Sequence, residues 1–410
     1  MCNGLFARAD GDTIRTGRRC ERNRLGMSKQ RVIVLGSTGS IGQSTLDVLS
    51  RLVDQWEVVG LAAGSRAAEL AQQADRFRPP VIALANGPDA DSLDDSLNYR
   101  PRVLRGPSAL VDLVNSVEFD CAVCAVVGTG GLAATLRAVE LGKRVALANK
   151  EAMVIAGSIL MPLARRSGAT VIPVDSEHSA VFQAMHAGRP SEVRRVCLTA
   201  SGGPFRNSTP AELEHVCAAD ALNHPIWDMG PKITIDSATM MNKALEVGEA
   251  RWLFDLRPEQ IEVVIHPESI IHSMVEFCDG SIIAQMSVPD MRTPIQYALT
   301  YPHRLPCPSA ALDFQAMRRL SFEIPDADRF PAVRLGHEVA RRGGTCGAVF
   351  NAANEAAVRL FRDGAIGFLE ISRHVERVLH EHEFHEASTL GGLWEADDWA
   401  RQEVLRCTTC

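Results

Sequence analysis

The sequence has little that would suit a membrane, a nucleic acid or an oxidising compartment. No apolar run reaches the length of a transmembrane helix, and the net charge of -7 argues against a chain-wide nucleic-acid binder. The 11 cysteines show no small-domain disulfide pattern, and we find no secretory signal. We therefore expect a cytoplasmic protein with reduced thiols, and no membrane or nucleic-acid partner.

The length of 410 residues and the hydrophobic content of 46% are ordinary for a globular protein of two or three domains. The Arg-rich start lacks hydrophobic periodicity, so we expect a disordered extension there. The predicted division is an extension at 1–30, a first folded domain at 31–174, a second at 175–308 that contains an irregular loop at 223–230, a linker at 309–336 and a small helical domain at 337–410.

The first ordered segment predicts a nucleotide site. The apolar run Val32 to Leu35 is typical of a buried parallel strand, a glycine-rich turn follows at 36–42, and a helical pattern begins after it. Glycines let a backbone approach a pyrophosphate, and the helix N-terminus faces the charge of that group. The spacing is G-x-x-G-x-x-G rather than the usual G-x-G-x-x-G, so a plain tight turn remains an alternative.

The next strand, Trp56 to Ala62, favours NADP over NAD. An NAD binder usually has an acidic residue after this strand, whereas this chain has Ser65 and Arg66, which suit a 2′-phosphate. Strand and helix patterns then alternate up to residue 174, which predicts a doubly wound parallel sheet. Ligands of such sheets lie at the carboxyl ends of the strands, so Gly128 and 149–151 should line the cleft.

Two carboxylates follow the next strand in Val174-Asp175-Ser176-Glu177-His178. If the extended conformation continues, Asp175 and Glu177 point the same way and suit Mg²⁺ or Mn²⁺. The alternative is a polar turn in which Asp175 or Ser176 is a helix N-cap.

The second half of the chain carries features of a phosphate site. Ser201 and two glycines follow a strand, which exposes backbone N–H groups to an anion. The loop 223–230 carries Trp, His and Met without a regular period, and we interpret it as a lid. We predict a short strand at 233–235 and then a helix on which Asn242, Lys243 and Glu246 supply polar, cationic and acidic groups.

These features together predict a metal- and NADPH-dependent enzyme that acts on a small phosphorylated hydroxycarbonyl compound. A metal-independent NADP-dependent dehydrogenase of the semialdehyde type is the alternative, and its turnover would survive EDTA. A non-catalytic NADPH-sensing or scaffold protein would leave the Lys243 cluster and the lid without a role.

The motif set, taken together and in order, closely resembles the 1-deoxy-D-xylulose 5-phosphate reductoisomerase family. The motifs are Gly36 to Gly42, Leu147 to Glu151, Val174 to His178, Ala200 to Phe205, Asn223 to Pro225 and Asp236 to Lys243, and the resemblance runs from about Arg31 to Val404. It implies an α/β fold with a Rossmann-like NADPH domain, an α/β catalytic domain with a mostly open sheet and a small C-terminal helical domain.

The resemblance also implies an activity and a set of site residues. The substrate would be rearranged and then reduced by NADPH to 2-C-methyl-D-erythritol 4-phosphate, an isoprenoid precursor, by a homodimer with Mg²⁺ or Mn²⁺. The metal ligands would be Asp175, Glu177 and Glu246, and these with Lys150 and His224 would be catalytic. Substrate contacts would be Lys150, Ser176, Glu177, Ser201, His224, Ser237, Asn242, Lys243 and Glu246. NADPH contacts would be Thr38, Gly39, Ser40, Ile41, Gly64, Ser65, Arg66, Asn149, Glu151 and Gly230.

Overall fold

The computed structural model describes residues 28–86, 91–227, 229–317, 319–386 and 389–408. Most of the predicted extension, residues 1–27, lies outside these ranges. Among the described residues, no helix is both long and apolar enough to cross a bilayer.

A parallel seven-stranded sheet forms the first half of the chain. Its spatial order is β4-β3-β2-β1-β5-β6-β7, so the chain reverses direction across the sheet between β1 and β5. This reversal is the topological switch point at which doubly wound sheets bind ligands. The strands are β1 Gln30–Leu35, β2 Trp56–Ala63, β3 Val81–Leu84, β4 Arg102–Arg105, β5 Cys121–Cys124, β6 Arg144–Leu147 and β7 Thr170–Pro173.

Helices cover both faces of this sheet, because its strands carry apolar side chains on both faces. Cys121 belongs to the apolar core on one face and Cys124 to the core on the other, as the sequence predicts for two small buried residues of a strand. The helices of this part are α1 Ser40–Arg51, α2 Ala67–Phe77, α3 Ala109–Ser116, α4 Leu132–Glu140 and α5 Lys150–Ser167.

A smaller mixed sheet follows, with the order β11-β10-β8-β9. Strand β10 is antiparallel to both of its neighbours, and β8 is parallel to β9. The strands are β8 Val193–Ala200, β9 Ile261–Ile265, β10 Ile271–Phe277 and β11 Ile282–Met286. The helices between and beside them are α6 Ser176–Met185, α7 Pro210–Leu213, α8 Ala218–Ala221, α9 Pro231–Ala238, α10 Met241–Phe254 and α11 Arg292–Thr300.

The C-terminal region is helical, as predicted, and it packs closely on the rest of the chain. Helix α12 packs on α10, and α13 packs on α5, α14 and α15. One apolar core runs from the first sheet through α5 and α10 into these helices. The C-terminal helices are α12 Ala332–Arg342, α13 Cys346–Arg362, α14 Phe368–Glu381 and α15 Leu390–Thr408. The predicted domain limits stay a prediction.

Two sequence predictions of local structure are wrong. The segment 233–235, predicted as a strand, lies inside α9, which begins with Pro231 directly after Gly230. Proline at the first helical position is a start signal that outweighs the alternating isoleucines. The polar composition of 90–104 predicts an irregular segment, but its described part contains a 3₁₀ helix and most of the edge strand β4, whose charged ends hide its strand character.

Candidate active site

A cleft of about 890 Å³ lies between the carboxyl ends of the first sheet, the second sheet and the loop before α9. It brings together most of the site residues that the sequence singles out. Those in its wall are Ser40, Ile41, Asn149, Lys150, Glu151, Asp175, Ser176, Glu177, Ser201, Gly230, Ser237, Asn242 and Lys243.

The nucleotide end of the cleft is formed by the turn after β1. Gly36 has φ +88°, and a Cβ there would lie 2.5 Å from the carbonyl oxygen of Ala125, so only glycine fits. The turn leads into α1, whose N-cap residue Gly39 has no capping side chain. The first N–H groups of α1 are therefore available to an anion.

Asn149 holds the start of α5 in this cleft. Its side-chain oxygen accepts a hydrogen bond from the N–H of Ala152 at 2.5 Å, and its side-chain nitrogen donates to the carbonyl of Gly128 at 2.8 Å. It therefore joins the α5 N-terminus to the turn after β5. This capping role places Lys150 and Glu151 in the first turn of α5, facing the cleft.

Asp175 lies where β7 gives way to α6. The chain does not stay extended after Asp175, so Asp175 and Glu177 do not share one strand face. The alternative, a turn with Asp175 at the N-cap position, describes the backbone, because α6 begins at Ser176. Asp175 occupies the N-cap position but makes no capping hydrogen bond with its side chain. Its carboxylate instead lies 2.7 Å from the Lys150 ammonium. Burial raises the pKa of Asp175, but Lys150 and His178 lower it well below its usual range.

Two buried lysines hold the carboxylates of the cluster. Lys150 lies 3.3 Å from Glu246 and donates to the side-chain oxygen of Asn242 at 2.8 Å. Lys243 lies 2.8 Å from Glu177 and also contacts Glu246. Burial alone would lower the pKa of each lysine, but the surrounding carboxylates raise both above the usual value. Both ammonium groups therefore stay charged.

The donor set fits a divalent cation that prefers oxygen ligands. Ligand atoms of Asp175, His178 and Glu246 all lie within 4.8 Å of one another, and Glu177 is linked to Glu246 through Lys243. His178 is a poor ligand here: its Nε2 faces the backbone oxygen of Glu246 at 2.9 Å, and its Nδ1 faces the carboxylates of Asp175 and Glu249. Both ring nitrogens face acceptors, so both carry protons. The three carboxylates remain as ligands of the kind that Mg²⁺ and Mn²⁺ take.

The other end of the cleft suits an anion. After β8, the hydroxyl of Ser201 accepts a hydrogen bond from the N–H of Gly203 at 3.2 Å. Ser237 near the end of α9 and Asn242 and Lys243 at the start of α10 line the same region. Hydroxyl, amide and ammonium donors in one place suit a phosphate group.

His224 ties the lid loop to this anion site. Its Nδ1 accepts hydrogen bonds from the N–H groups of Ile226 and Trp227 at 3.1 and 2.9 Å, so Nε2 carries the proton and faces the Ser201 hydroxyl at 3.1 Å. Burial lowers the pKa of His224, which favours this neutral form. The ring of Trp227 meets that of His272 edge-on at 6.4 Å.

Some predicted site residues lie outside the cleft wall. Glu246 is fully buried behind the lysines, His224 reaches the site through Ser201, and Thr38 is 3% exposed beneath its turn. Gly39 is the N-cap of α1 next to the wall, and 64–66 are exposed at the end of β2. Cys410, half of a C-x-x-C pair at the end of the chain, lies outside the described residues.

Sequence reasoning missed three charged residues. Lys232, in the first turn of α9, lines the cleft and pairs with Glu151 at 3.3 Å. His178 and Glu249 lie buried behind Asp175. A signal for Lys232 existed, since it lies two residues after the end of the lid loop. The positions of His178 and Glu249 depend on packing between helices that are distant in the sequence.

Comparisons with known proteins agree with this geometry. Three family models match: 1-deoxy-D-xylulose 5-phosphate reductoisomerase over residues 32–157, its C-terminal domain over residues 171–254, and the DXP reductoisomerase C-terminal domain over residues 286–403. A 1-deoxy-D-xylulose 5-phosphate reductoisomerase of Geobacter metallireducens is 48% identical over 375 residues, which are 91% of this chain and 98% of that protein.

Two solved structures are similar over nearly the whole chain. The reductoisomerase of Zymomonas mobilis in complex with NADPH is 43% identical with a TM-score of 0.88, and the match covers 93% of this chain and 99% of that one. A DOX-P reductoisomerase in complex with NADPH, fosmidomycin and magnesium is 37% identical with a TM-score of 0.86, and covers 93% and 98% of the two chains.

Proposed function

This chain belongs to the 1-deoxy-D-xylulose 5-phosphate reductoisomerase family, and from that premise we propose a role for each part of its cleft. The predicted activity is confirmed: the enzyme is an NADP-dependent oxidoreductase that rearranges and reduces 1-deoxy-D-xylulose 5-phosphate to 2-C-methyl-D-erythritol 4-phosphate. Its cofactors are NADPH and a divalent metal, as predicted. The metal-independent alternative has no support.

The proposed metal ligands are Asp175, Glu177 and Glu246. The observation that carries this assignment is the convergence of the three carboxylates on two buried lysines. A bound Mg²⁺ or Mn²⁺ supplies Lewis-acid polarisation of the substrate's carbonyl and hydroxyl oxygens. Lys150 keeps Asp175 ionised and oriented, and its ammonium is also placed to polarise a substrate oxygen.

The proposed phosphate site consists of Ser201, Ser237, Asn242 and Lys243. Lys243 is 3% exposed, so its charge acts in a region with little water to screen it. Binding energy from this end, remote from the reacting carbons, orients the substrate. Ser176 and His224 complete the substrate contacts, and the 223–230 loop excludes water from the reacting groups.

NADPH is assigned to the crevice between β1 and β5. The α1 N-terminus, with Thr38 to Ile41, faces the pyrophosphate, and Arg66 next to Gly64 and Ser65 supplies positive charge for the 2′-phosphate. Asn149, Glu151 and Gly230, which line the cleft, complete the proposed NADPH contacts.

A homodimer is the proposed assembly. Strand β11 is an edge strand with Ile282 56% and Ile283 39% exposed. Apolar side chains on an open strand edge favour pairing with a second copy. Sedimentation of the purified protein should give a dimer, and Ile283→Lys should shift it toward a monomer. The cytoplasmic location stays a prediction.

The experiment that tests the site follows NADPH oxidation with 1-deoxy-D-xylulose 5-phosphate, with EDTA and after Mg²⁺ or Mn²⁺ is added back. Asp175→Asn should lose turnover and metal binding but keep NADPH binding. Glu118→Gln, with a side chain 78% exposed before the start of β5 and away from the cleft, is the matched control. Full turnover of Asp175→Asn would contradict the assignment.

A further inference from the structure

Lys232 lies in the cleft at the N-terminus of α9, where the local electrostatics disfavour a positive charge. It is the second residue of α9, and the first turn of that helix contains no acidic residue. The helix dipole disfavours positive charge at this end. Lysine N-terminal to aspartate is also the weaker order for an i, i+4 pair. Both effects destabilise the Lys232 ammonium, so contacts with other parts of the fold must stabilise it.

Two buried carboxylates supply that compensation. The ammonium lies 2.7 Å from Asp236 and 3.3 Å from Glu151, whose side chains are 1% and 9% exposed. Asp236 also accepts a hydrogen bond at 2.8 Å from Asn354, which is fully buried on α13. Asn354 therefore holds Asp236 in place even without Lys232. Among the described residues, Glu151 forms an ion pair only with Lys232.

The two carboxylates belong to different helices of the proposed site, α5 and α9. Glu151 is in the first turn of α5, on the side assigned to NADPH. Asp236 directly precedes Ser237, on the side assigned to the substrate phosphate. Lys232 also lies only two residues after Gly230, the last residue of the lid loop. A single side chain therefore joins the cofactor side, the phosphate side and the fixed end of the lid.

We propose that Lys232 is a positioning residue that holds the Glu151 carboxylate in place for NADPH and anchors the lid end of α9 to the cofactor half of the cleft. The inference rests on the proposed function, in which Glu151 contacts the cofactor. Without Lys232, a buried carboxylate loses its cation and the α5 and α9 turns lose their cross-link. The first consequence is weaker NADPH binding, before any effect on substrate chemistry.

The test separates positioning from simple charge balance. In Lys232→Met, the affinity for NADPH, measured by fluorescence titration without substrate, should fall about tenfold or more. Lys232→Arg should recover most of it. The double variant Lys232→Met/Asp236→Asn removes both charges of the i, i+4 pair, so it should regain thermal stability yet bind NADPH as weakly as Lys232→Met.

A double-mutant cycle with Glu151→Gln completes the design. If Lys232 acts through Glu151, Lys232→Met should weaken NADPH binding little further in the Glu151→Gln background. Lys143→Met is the control, because Lys143 is a partly exposed lysine that lies 3.9 Å from Glu118 and away from the cleft.

Two results would overturn the proposal: wild-type NADPH affinity in Lys232→Met, or wild-type affinity in the double variant. If Lys232→Met does not fold, the NADPH affinity of the double variant is compared with that of Lys232→Arg instead. Because the readout is NADPH binding without turnover, either result would leave the proposed reaction and metal site intact. Loss of turnover in Asp175→Asn is judged separately.

Discussion

The carboxylate of Glu249 lies 3.4 Å from Nδ1 of His178, and both side chains are fully buried. Neither oxygen of Glu249 has another hydrogen-bond partner among the described residues. Burial raises the pKa of Glu249 to about 8. For His178, burial lowers the pKa, but Glu249 and Asp175 together raise it to about 9. His178 therefore connects a buried acid to Asp175 and to the backbone of Glu246.

Glu249→Gln tests this connection. The amide keeps the shape but can share neither a proton nor a charge with His178, so Asp175 loses a fixed neighbour. Mn²⁺ affinity, measured by electron paramagnetic resonance, should fall roughly 10- to 100-fold, the usual effect of altering a group behind a metal ligand. Glu259→Gln, with a side chain 63% exposed, is the control. Unchanged Mn²⁺ affinity would show that Glu249 has no role in orienting Asp175.

Metal removal should abolish turnover without unfolding the protein. Lys150 and Lys243 contact all three carboxylates, so the cluster keeps partners when the ion is chelated. With EDTA we expect turnover to fall about a hundredfold or more, since several kcal/mol of transition-state stabilisation are lost. The thermal midpoint should shift by only a few degrees, whereas Lys243→Met should lower it clearly. A large loss of stability on chelation would show that the lysines do not balance the cluster.

Acidic pH should loosen the 223–230 loop because it protonates His224. Burial lowers the folded-state pKa of His224 below its unfolded value of 6.5. Neutral His224 therefore stabilises the folded state fully above about pH 6.5, and this contribution is lost as the pH falls through the folded pKa. Once Nδ1 of His224 is protonated, it can no longer accept hydrogen bonds from the N–H groups of Ile226 and Trp227.

The measurement is the fluorescence of Trp227 against pH, taken as the difference between wild type and Trp227→Phe. His224→Ala should flatten the profile, and His215→Ala, at an exposed position, should leave it unchanged. A transition that persists in His224→Ala would assign the pH effect to another group.

The contact between α5 and α10 predicts opposite effects for two glycines. A Cβ at Gly157 of α5 would lie 2.3 Å from Cγ of Trp252, whereas a Cβ at Gly248 of α10 would lie 3.4 Å from Val154. Overpacking costs about 1–3 kcal/mol, and replacing glycine by alanine in a helix gains up to about 1 kcal/mol. Gly157→Ala should therefore lower the thermal midpoint, and Gly248→Ala should keep or raise it. Equal midpoints would mean that Trp252 moves freely.

The fold class and most residues that line the candidate site could be predicted from the sequence. The buried strands, the glycine-rich turns and the residues that follow each strand are local signals, and a doubly wound sheet places them at one edge. Asn149, Lys150 and Asp175 could therefore be assigned to one cleft without knowing which helix packs on which.

Local signals were weaker where two of them competed. At 233–235 the alternating isoleucines indicated a strand, but Pro231 started a helix. At Asp175 the apolar run indicated continued extension, but the chain turned into α6 one residue later. In both places the start of a helix decided the backbone.

The charge pairs between different elements required the packed fold: Lys150 with Asp175, Lys243 with Glu177, Lys232 with Glu151, and His178 with Glu249. Most of these pairs join elements far apart in the sequence, and their spacing carries no period that could be recognised there. They form because α5, α6, α9 and α10 pack their apolar sides into the cores and leave their charged groups at the cleft. Once such groups are buried together, each charge requires the others, and that requirement fixes the geometry of the site.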